Sequence, residues 1–139
     1  MTNKELYDMF AYKYGIDMSM DDNEVNFYIE LESCRHYGTL FIDIDTEHNT
    51  LTLQISMDGE EYFNATSYED WDEIDSDEQE EYEEAAQEII DRYSKTYPSI
   101  STGMSVIDDF LIEINEKDDD PLDDDAEEVI KKLTDMFTK

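Results

Sequence analysis

Carboxylates are the residues of this chain whose number and spacing could do chemistry. Of its 139 residues, 40 are acidic and 9 are basic, and the net charge is -31. The segment YEDWDEIDSDEQEEYEEAAQEIID, residues 68–91, contains thirteen carboxylates and no basic residue. Such groups can act as acids and bases, bind cations or accept hydrogen bonds from arginine.

The candidates for catalysis are few. Cys34, Arg35 and His36 place a thiol near a histidine at the end of a predicted strand, but the sequence supplies no third group to orient the histidine. His36 and His48 are interpreted as surface residues at hairpin ends. Four glycines leave little scope for a phosphate-binding loop. We therefore predict that the protein is not an enzyme.

Two groups of carboxylates have a composition that suits cations. Asp43 and Asp45 lie two residues apart on one predicted strand face, where they could bind a divalent cation or act as acid and base. The segment DDDPLDDD, residues 118–125, is rich in oxygen ligands but lacks the glycine and closing glutamate of an EF-hand loop. We predict weak, nonspecific cation binding, no dedicated metal site and no cofactor.

The net charge indicates the kind of partner. Its magnitude far exceeds the value of about 2 to 8 that keeps a small domain soluble, and self-repulsion disfavours the compact state. The negative sign excludes direct binding to nucleic acid or to an anionic membrane. It predicts a partner with a basic groove, and most basic grooves bind DNA or RNA.

Length and composition predict one folded domain, residues 1–139, because the chain is 39% apolar and 12% aromatic, unlike disordered acidic chains. No apolar run is long enough to span a membrane, and MTNKELYDMF does not resemble a secretory signal, so we expect a cytoplasmic protein. The single cysteine, Cys34, can form no internal disulfide.

Hydrophobic periodicity predicts an α+β fold. Thr2 and Glu5 form a capping box for a helix over residues 3–14. Period-two alternation then predicts three strands, at residues 25–31, 40–44 and 51–57. The pair Asp58-Gly59 predicts a hairpin into a fourth strand, YFNATS, which completes a small antiparallel sheet in the form of a four-stranded meander.

A central helix is predicted within the acidic segment. Residues 68–75 are interpreted as a loop, and Ser76 with Gln79 forms a capping box for a helix that ends near Lys95. Apolar residues line the face that docks on the sheet, namely Tyr82, Ala86, Ile89 and Tyr93. After the unassigned STGMSV, DFLIEIN is a possible fifth strand, and a C-terminal helix follows the second acidic block, EKDDDPLDDDAEE.

The central helix has the charge density of a nucleic-acid strand. From Asp77 to Asp91 it carries eight carboxylates over fifteen residues, or one every ~3 Å, whereas one DNA strand carries a charge every ~3.4 Å. Arginine binds carboxylate and phosphate with the same bidentate geometry. A groove built for DNA could therefore accept this helix, although a charge run can also be only a solvated face.

In size, charge and these two acidic blocks, the chain resembles the small DNA-mimic inhibitors encoded by bacteriophages and mobile elements. That class includes anti-restriction proteins, anti-CRISPR proteins and uracil-DNA glycosylase inhibitors. The resemblance implies an inhibitor that occupies the nucleic-acid-binding groove of a CRISPR effector or restriction enzyme in a host bacterial cell. No residue motif defines the class, and its members have unrelated folds.

The predicted partner-binding residues are two aromatic anchors, Trp71 and Tyr82, and carboxylates of the two acidic blocks. The carboxylates are Glu69, Asp70, Asp72, Glu73, Asp77, Glu80, Glu81, Glu84, Glu88, Asp118, Asp119, Asp120, Asp123, Asp124 and Asp125. Tyr68 is a further candidate anchor. Core packing is the alternative role for the aromatic residues.

Other functions share the same charge. An immunity or antitoxin protein would neutralise one basic toxin nuclease, and an acidic chaperone would bind many basic proteins loosely. Halophilic adaptation is a further alternative, but lysine outnumbers arginine seven to two and the chain is rich in Ile, Asn and Tyr, which is more typical of an AT-rich genome.

Overall fold

The computed structural model describes residues 2–13, 18–21, 23–31, 38–67, 69–114 and 124–137. In these residues the helices are α1 (Asn3–Lys13), α2 (Gly59–Thr66), α3 (Ser76–Tyr93), α4 (Ile100–Ile114) and α5 (Asp124–Phe137). The strands are β1 (Ser19–Asp21), β2 (Glu24–Leu31), β3 (Gly38–Asp45), β4 (Thr50–Ser56) and β5 (Lys95–Tyr97). A short 3-10 helix lies at Trp71–Glu73. The predicted α+β class, with helices at the N-terminus, centre and C-terminus, is confirmed.

The strands form one antiparallel sheet in the order β1-β2-β3-β4-β5. Every second residue of β2, β3 and β4 is buried, as the alternation predicts, so the sheet has a buried face and an open face. The two edge strands, β1 and β5, have three residues each. Such short edges limit pairing with other chains.

The core lies between the buried face of the sheet and the helices. One cluster of buried side chains joins residues of β2, β3 and β4 with residues of the helices, which include Leu6 and Phe10 of α1, Ala86 and Ile89 of α3, Ile107 and Phe110 of α4, and Val129 and Leu133 of α5. Among the described residues, the opposite face of the sheet is open, and its Tyr28 and Phe41 are exposed.

The predicted fourth strand, YFNATS, is wrong, because residues 62–66 belong to α2 and Ser67 is its C-cap. Asp58 is the N-cap: its carboxylate accepts a hydrogen bond from the Glu61 N–H (2.8 Å), and the Glu61 carboxylate accepts one from the Asp58 N–H (3.0 Å). This reciprocal capping box satisfies backbone donors that a helix start leaves unpaired. It makes Asp58-Gly59 a helix start and not a hairpin.

The predicted strand DFLIEIN is also wrong, because its residues 109–114 lie in α4, which also includes the unassigned STGMSV. Asn115 lies outside the described residues. The buried residues of α4 recur at helical spacing, at Ile100, Gly103, Met104, Ile107, Phe110, Leu111 and Ile114. The predicted alternation places Ile112 on the same face as Phe110 and Ile114, but Ile112 is 68% exposed. Helical spacing over the whole segment outweighs a period of two over its last few residues.

Several predicted boundaries shift by a few residues. The α3 helix has Asp75 as its N-cap, with a hydrogen bond of 2.9 Å from the Glu78 N–H, so the predicted capping box of Ser76 and Gln79 is one residue too late. The helix ends at Tyr93 and not near Lys95, and β5 is the actual fifth strand. The predicted Thr2 cap is present, since Thr2 Oγ1 accepts from the Glu5 N–H over 3.1 Å.

Asp45 organises the turn between β3 and β4 and attaches α1 to it. Its Oδ1 accepts from the N–H groups of Glu47 (3.0 Å) and His48 (3.2 Å), and its Oδ2 lies 2.6 Å from His48 Nδ1. The Asn3 side chain donates to Asp45 Oδ1 (3.3 Å) and accepts from the Thr46 N–H (2.6 Å). Burial opposes ionisation of Asp45, yet hydrogen bonds from His48, Asn3 and the turn lower its pKa, and Asp45 in turn raises the pKa of His48.

We expect Asp45→Asn to lower the free energy of unfolding by about 1 kcal/mol, since hydrogen bonds to a charged acceptor are stronger than those to a neutral one. The Asp45 contribution is present above its ordinary pKa of 3.8 and is lost as the pH falls through its lowered value. The His48 contribution is present below 6.5 and is lost as the pH rises through its raised value. The loss should therefore be largest between these two pH values.

Urea unfolding of both proteins across this pH range measures the difference. His48→Gln is the control, because it should abolish only the change on the alkaline side. A difference between Asp45→Asn and the parent that is independent of pH would contradict the role assigned to this carboxylate.

Candidate partner-binding surface

The acidic surface is the segment from Glu69 to Asp91, and the structure exposes every carboxylate in it. The thirteen are Glu69, Asp70, Asp72, Glu73, Asp75, Asp77, Glu78, Glu80, Glu81, Glu83, Glu84, Glu88 and Asp91. All carboxylates predicted in the first acidic block therefore lie together on one exposed segment formed by the 3-10 helix, a short connection and α3.

Within α3 the carboxylates opposite the core form a stripe. Ala86 and Ile89 are buried against the core. At about 100° per residue, one set of carboxylates falls on the other side of the helix, and its members are Asp77, Glu80, Glu81, Glu84, Glu88 and Asp91. The stripe extends over about 21 Å of helix axis at 1.5 Å per residue. It follows the helix axis and faces solvent, as a surface for a groove must.

Charge compensation occurs at the ends of α3 and not in its middle. At the start, Asp75 caps the helix, and the helix dipole favours the carboxylates of the first turn. At the end, Arg92 pairs with Glu88 (3.5 Å) and with Glu113 of α4 (3.1 Å). Within the described part of the chain, no basic side chain pairs with the central carboxylates, Glu80 to Glu84.

Trp71 and Tyr82 belong to an aromatic cluster beneath the acidic surface. The buried ring of Phe63 in α2 contacts both edge-on, with centroids 5.5 Å from Trp71 and 4.9 Å from Tyr82. Tyr62 lies 6.1 Å from Tyr82. Trp71 and Tyr82 are half-buried, so they fasten the acidic surface to α2 and stay partly exposed to solvent. Packing within the fold is thus shown, and contact with a partner stays a prediction.

The other end of α3 is fastened to α4. Arg92 Nη1 donates to Glu113 Oε1 over 3.1 Å, and the Tyr93 hydroxyl donates to Glu113 Oε2. Burial and the hydrogen bond to Glu113 raise the pKa of Tyr93. The helix is held at both ends, which sets the direction of its carboxylates.

The second acidic block is only partly described. Asp118, Asp119, Asp120 and Asp123 lie outside the described residues, while Asp124 and Asp125 are the first two residues of α5. Their role in partner binding stays a prediction.

Tyr68 and the catalytic candidates Cys34, Arg35 and His36 also lie outside the described residues. His48 is at the predicted hairpin end, and its side chain is 76% exposed. Among the described residues, no group of three or more His, Cys, Asp or Glu side chains is placed to hold a metal ion. None of the described helices is both long and apolar enough to cross a membrane.

Sequence reasoning missed the part that α2 plays. Because α2 packs against α3, the exposed carboxylates of Asp58 and Glu60 extend the acidic surface. The missing signal was the pattern DGEE, in which Asp58 and Glu61 have capping-box spacing.

The chain matches no family model, and comparison with curated proteins and with solved structures likewise finds no significant match. A function must therefore be argued from the chemistry of the surface, since a fold by itself does not define one.

Gly59 permits the close approach of α2 and α3. A Cβ at this position would lie 2.8 Å from the backbone N and 2.9 Å from the Cα of Glu83.

We expect Gly59→Ala to lower the free energy of unfolding by about 1–3 kcal/mol through overpacking, although alanine is the better helix former. Urea unfolding measures this loss. Glu60→Ala is the matched control, expected to change stability by less than about 0.5 kcal/mol, and equal values for the two variants would contradict the close contact.

Glu84 has like-charged neighbours three or four residues away at Glu80, Glu81 and Glu88. Glu84→Lys turns each of the three repulsions, worth about 0.2–0.5 kcal/mol, into an attraction of similar size, so the free energy of unfolding should rise by about 1–3 kcal/mol at low salt. Glu84→Gln should gain about half as much. Unfolding at low salt and at about 1 M salt measures both gains, which screening should remove. A destabilised Glu84→Lys protein would contradict this account of α3.

Proposed function

We propose that this protein is an acidic DNA-mimic inhibitor. It occupies the basic nucleic-acid-binding groove of a bacterial defence nuclease, either a CRISPR effector or a restriction enzyme, and blocks DNA binding in the cytoplasm of the host cell. The observation that supports this most strongly is the exposure of all thirteen carboxylates from Glu69 to Asp91 on an element that packing holds in place.

A merely solvated face does not account for this arrangement as well. Like charges at helical spacing destabilise α3, and lysines between them would remove the repulsion. The central carboxylates, Glu80 to Glu84, have no basic partner in the described residues. Real proteins tend to break such local stability rules at functional sites and to offset the cost elsewhere in the fold.

The mechanism is competition for a binding site. The net charge steers the cationic groove onto the protein and accelerates the encounter. In the groove, arginine side chains that bind phosphate form bidentate pairs with the stripe of α3. The exposed parts of the Trp71 and Tyr82 side chains then supply the short-range contacts that slow dissociation. No bond is made or broken.

Purified restriction enzymes and guide-loaded CRISPR effectors, each mixed with labelled duplex DNA, test the proposal. For the target, added inhibitor should displace the duplex competitively, and its affinity should fall steeply with salt. The variant with Glu80→Lys, Glu81→Lys and Glu84→Lys should inhibit about 10- to 100-fold less well, as three lost ion pairs predict.

The control carries the same change in net charge elsewhere, as Asp8→Lys, Asp108→Lys and Asp135→Lys, three exposed residues of α1, α4 and α5. It should inhibit nearly as well as the parent. Equal losses in both variants would mean that only total charge matters, and an unimpaired α3 variant would refute the proposal. Inhibition of cleavage without displacement of DNA would instead identify an immunity protein that covers a site outside the groove.

A further inference from the structure

The open face of the sheet carries an aromatic pair that the core does not use. Tyr28 of β2 and Phe41 of β3 are cross-strand partners, with ring centroids 6.3 Å apart. Their side chains are 45% and 43% exposed. Aromatic residues are enriched in the contact surfaces of proteins, and two on one solvent-facing patch indicate a binding role.

The pair borders a hollow of about 480 Å³ on this face. Asn26 and Asp43, which are also cross-strand partners, lie two residues from the aromatic pair, and Gln54 lies opposite Phe41 on β4. Met18, Ser19 and Phe27 complete the lining. The Ser19 hydroxyl donates to Asn26 Oδ1, so the acceptors for a ligand are the Asp43 carboxylate and the Gln54 amide oxygen, beside the two rings. The volume of the hollow falls within the range of about 300–1,000 Å³ typical of ligand sites.

The lining matches the chemistry of a guanidinium group. Arginine is a planar cation that stacks on aromatic faces and presents five N–H donors, so it can use the rings and the oxygens together. A carboxylate has about four acceptor positions, so Asp43 can accept from a ligand in addition to its contacts within the fold. We propose that this hollow binds an arginine side chain of a protein partner.

Charge complementarity favours this occupant over the others that an aromatic face could hold. Nucleic acid and anionic lipid are repelled by a chain of net charge -31, and so is a second copy of the same chain. The hollow lies on the face of the sheet opposite to α3. It is therefore independent of the acidic surface and of the inhibitory function proposed for it.

The test is an amide chemical-shift titration with the acetylated, amidated tripeptide Gly-Arg-Gly, which has one positive charge, at about 0.15 M salt. The largest shifts should map to Tyr28, Phe41, Asp43 and Gln54. The same peptide with citrulline, which is planar but neutral, should produce no saturable shift, and the lysine peptide should bind more weakly because ammonium does not stack.

Substitutions measure separately what the aromatic rings and the Asp43 carboxylate contribute to peptide binding. Tyr28→Thr and Phe41→Thr, which keep strand propensity, should each weaken arginine-peptide binding about two- to fivefold. Tyr28→Phe should retain binding because the ring remains, and Asp43→Asn should weaken it by a similar two- to fivefold factor. Asp108→Asn, at an exposed position of α4 outside the hollow and the acidic surface, is the control and should leave the affinity unchanged.

Three results would overturn the assignment: equal binding of the citrulline peptide, largest shifts on α3, or unchanged affinity in both threonine variants. Shifts of the same residues that depend on protein concentration without peptide would assign the face to a second copy of the chain instead. None of these results would change the expected competition between the acidic surface and DNA, so each proposal can be refuted without the other.

Discussion

Repulsion among the carboxylates of α3 is the constraint to which the surrounding structure responds. A helix with this pattern cannot rely on its own side-chain pairs, because they are mostly unfavourable. Its stability must come from the face that packs on other elements. Phe63 with Trp71 and Tyr82 supplies that packing at one end, and the contacts of Glu113 with Arg92 and Tyr93 supply it at the other. The acidic surface therefore depends on α2 and α4.

The elements that could be predicted from the sequence are those with one buried face over many residues. The alternation of β2, β3 and β4 and the helical spacing of α1, α3 and α5 record that burial directly. The errors fell on α2 and α4, where a short segment fits both periods. In α2 the capping spacing of Asp58 and Glu61 competed with the hairpin preference of Asp58-Gly59, and only packing on α3 decides between them.

Whether a surface could be predicted from the sequence depends on whether composition or packing in the fold defines it. Net charge is a property of composition, so an acidic surface could be inferred, and a cationic partner proposed, before any fold was known. The support that Phe63 gives to Trp71 depends on α2 lying beside α3, which no local pattern records. The pairing of Tyr28 with Phe41 likewise depends on strand register, because each aromatic residue is placed in the solvent-facing phase of its own strand.

Charge and shape should therefore divide the work of recognition. At physiological salt the Debye length is about 8 Å, so attraction by the stripe acts mainly at close approach and does not distinguish one basic groove from another. A groove that encloses α3 excludes water, and the lower effective dielectric strengthens each pair with arginine. A flat basic surface does not exclude water in this way, so it does not strengthen the pairs. Selectivity of the proposed inhibitor would thus arise from how closely a groove fits α3 and the exposed parts of the Trp71 and Tyr82 side chains.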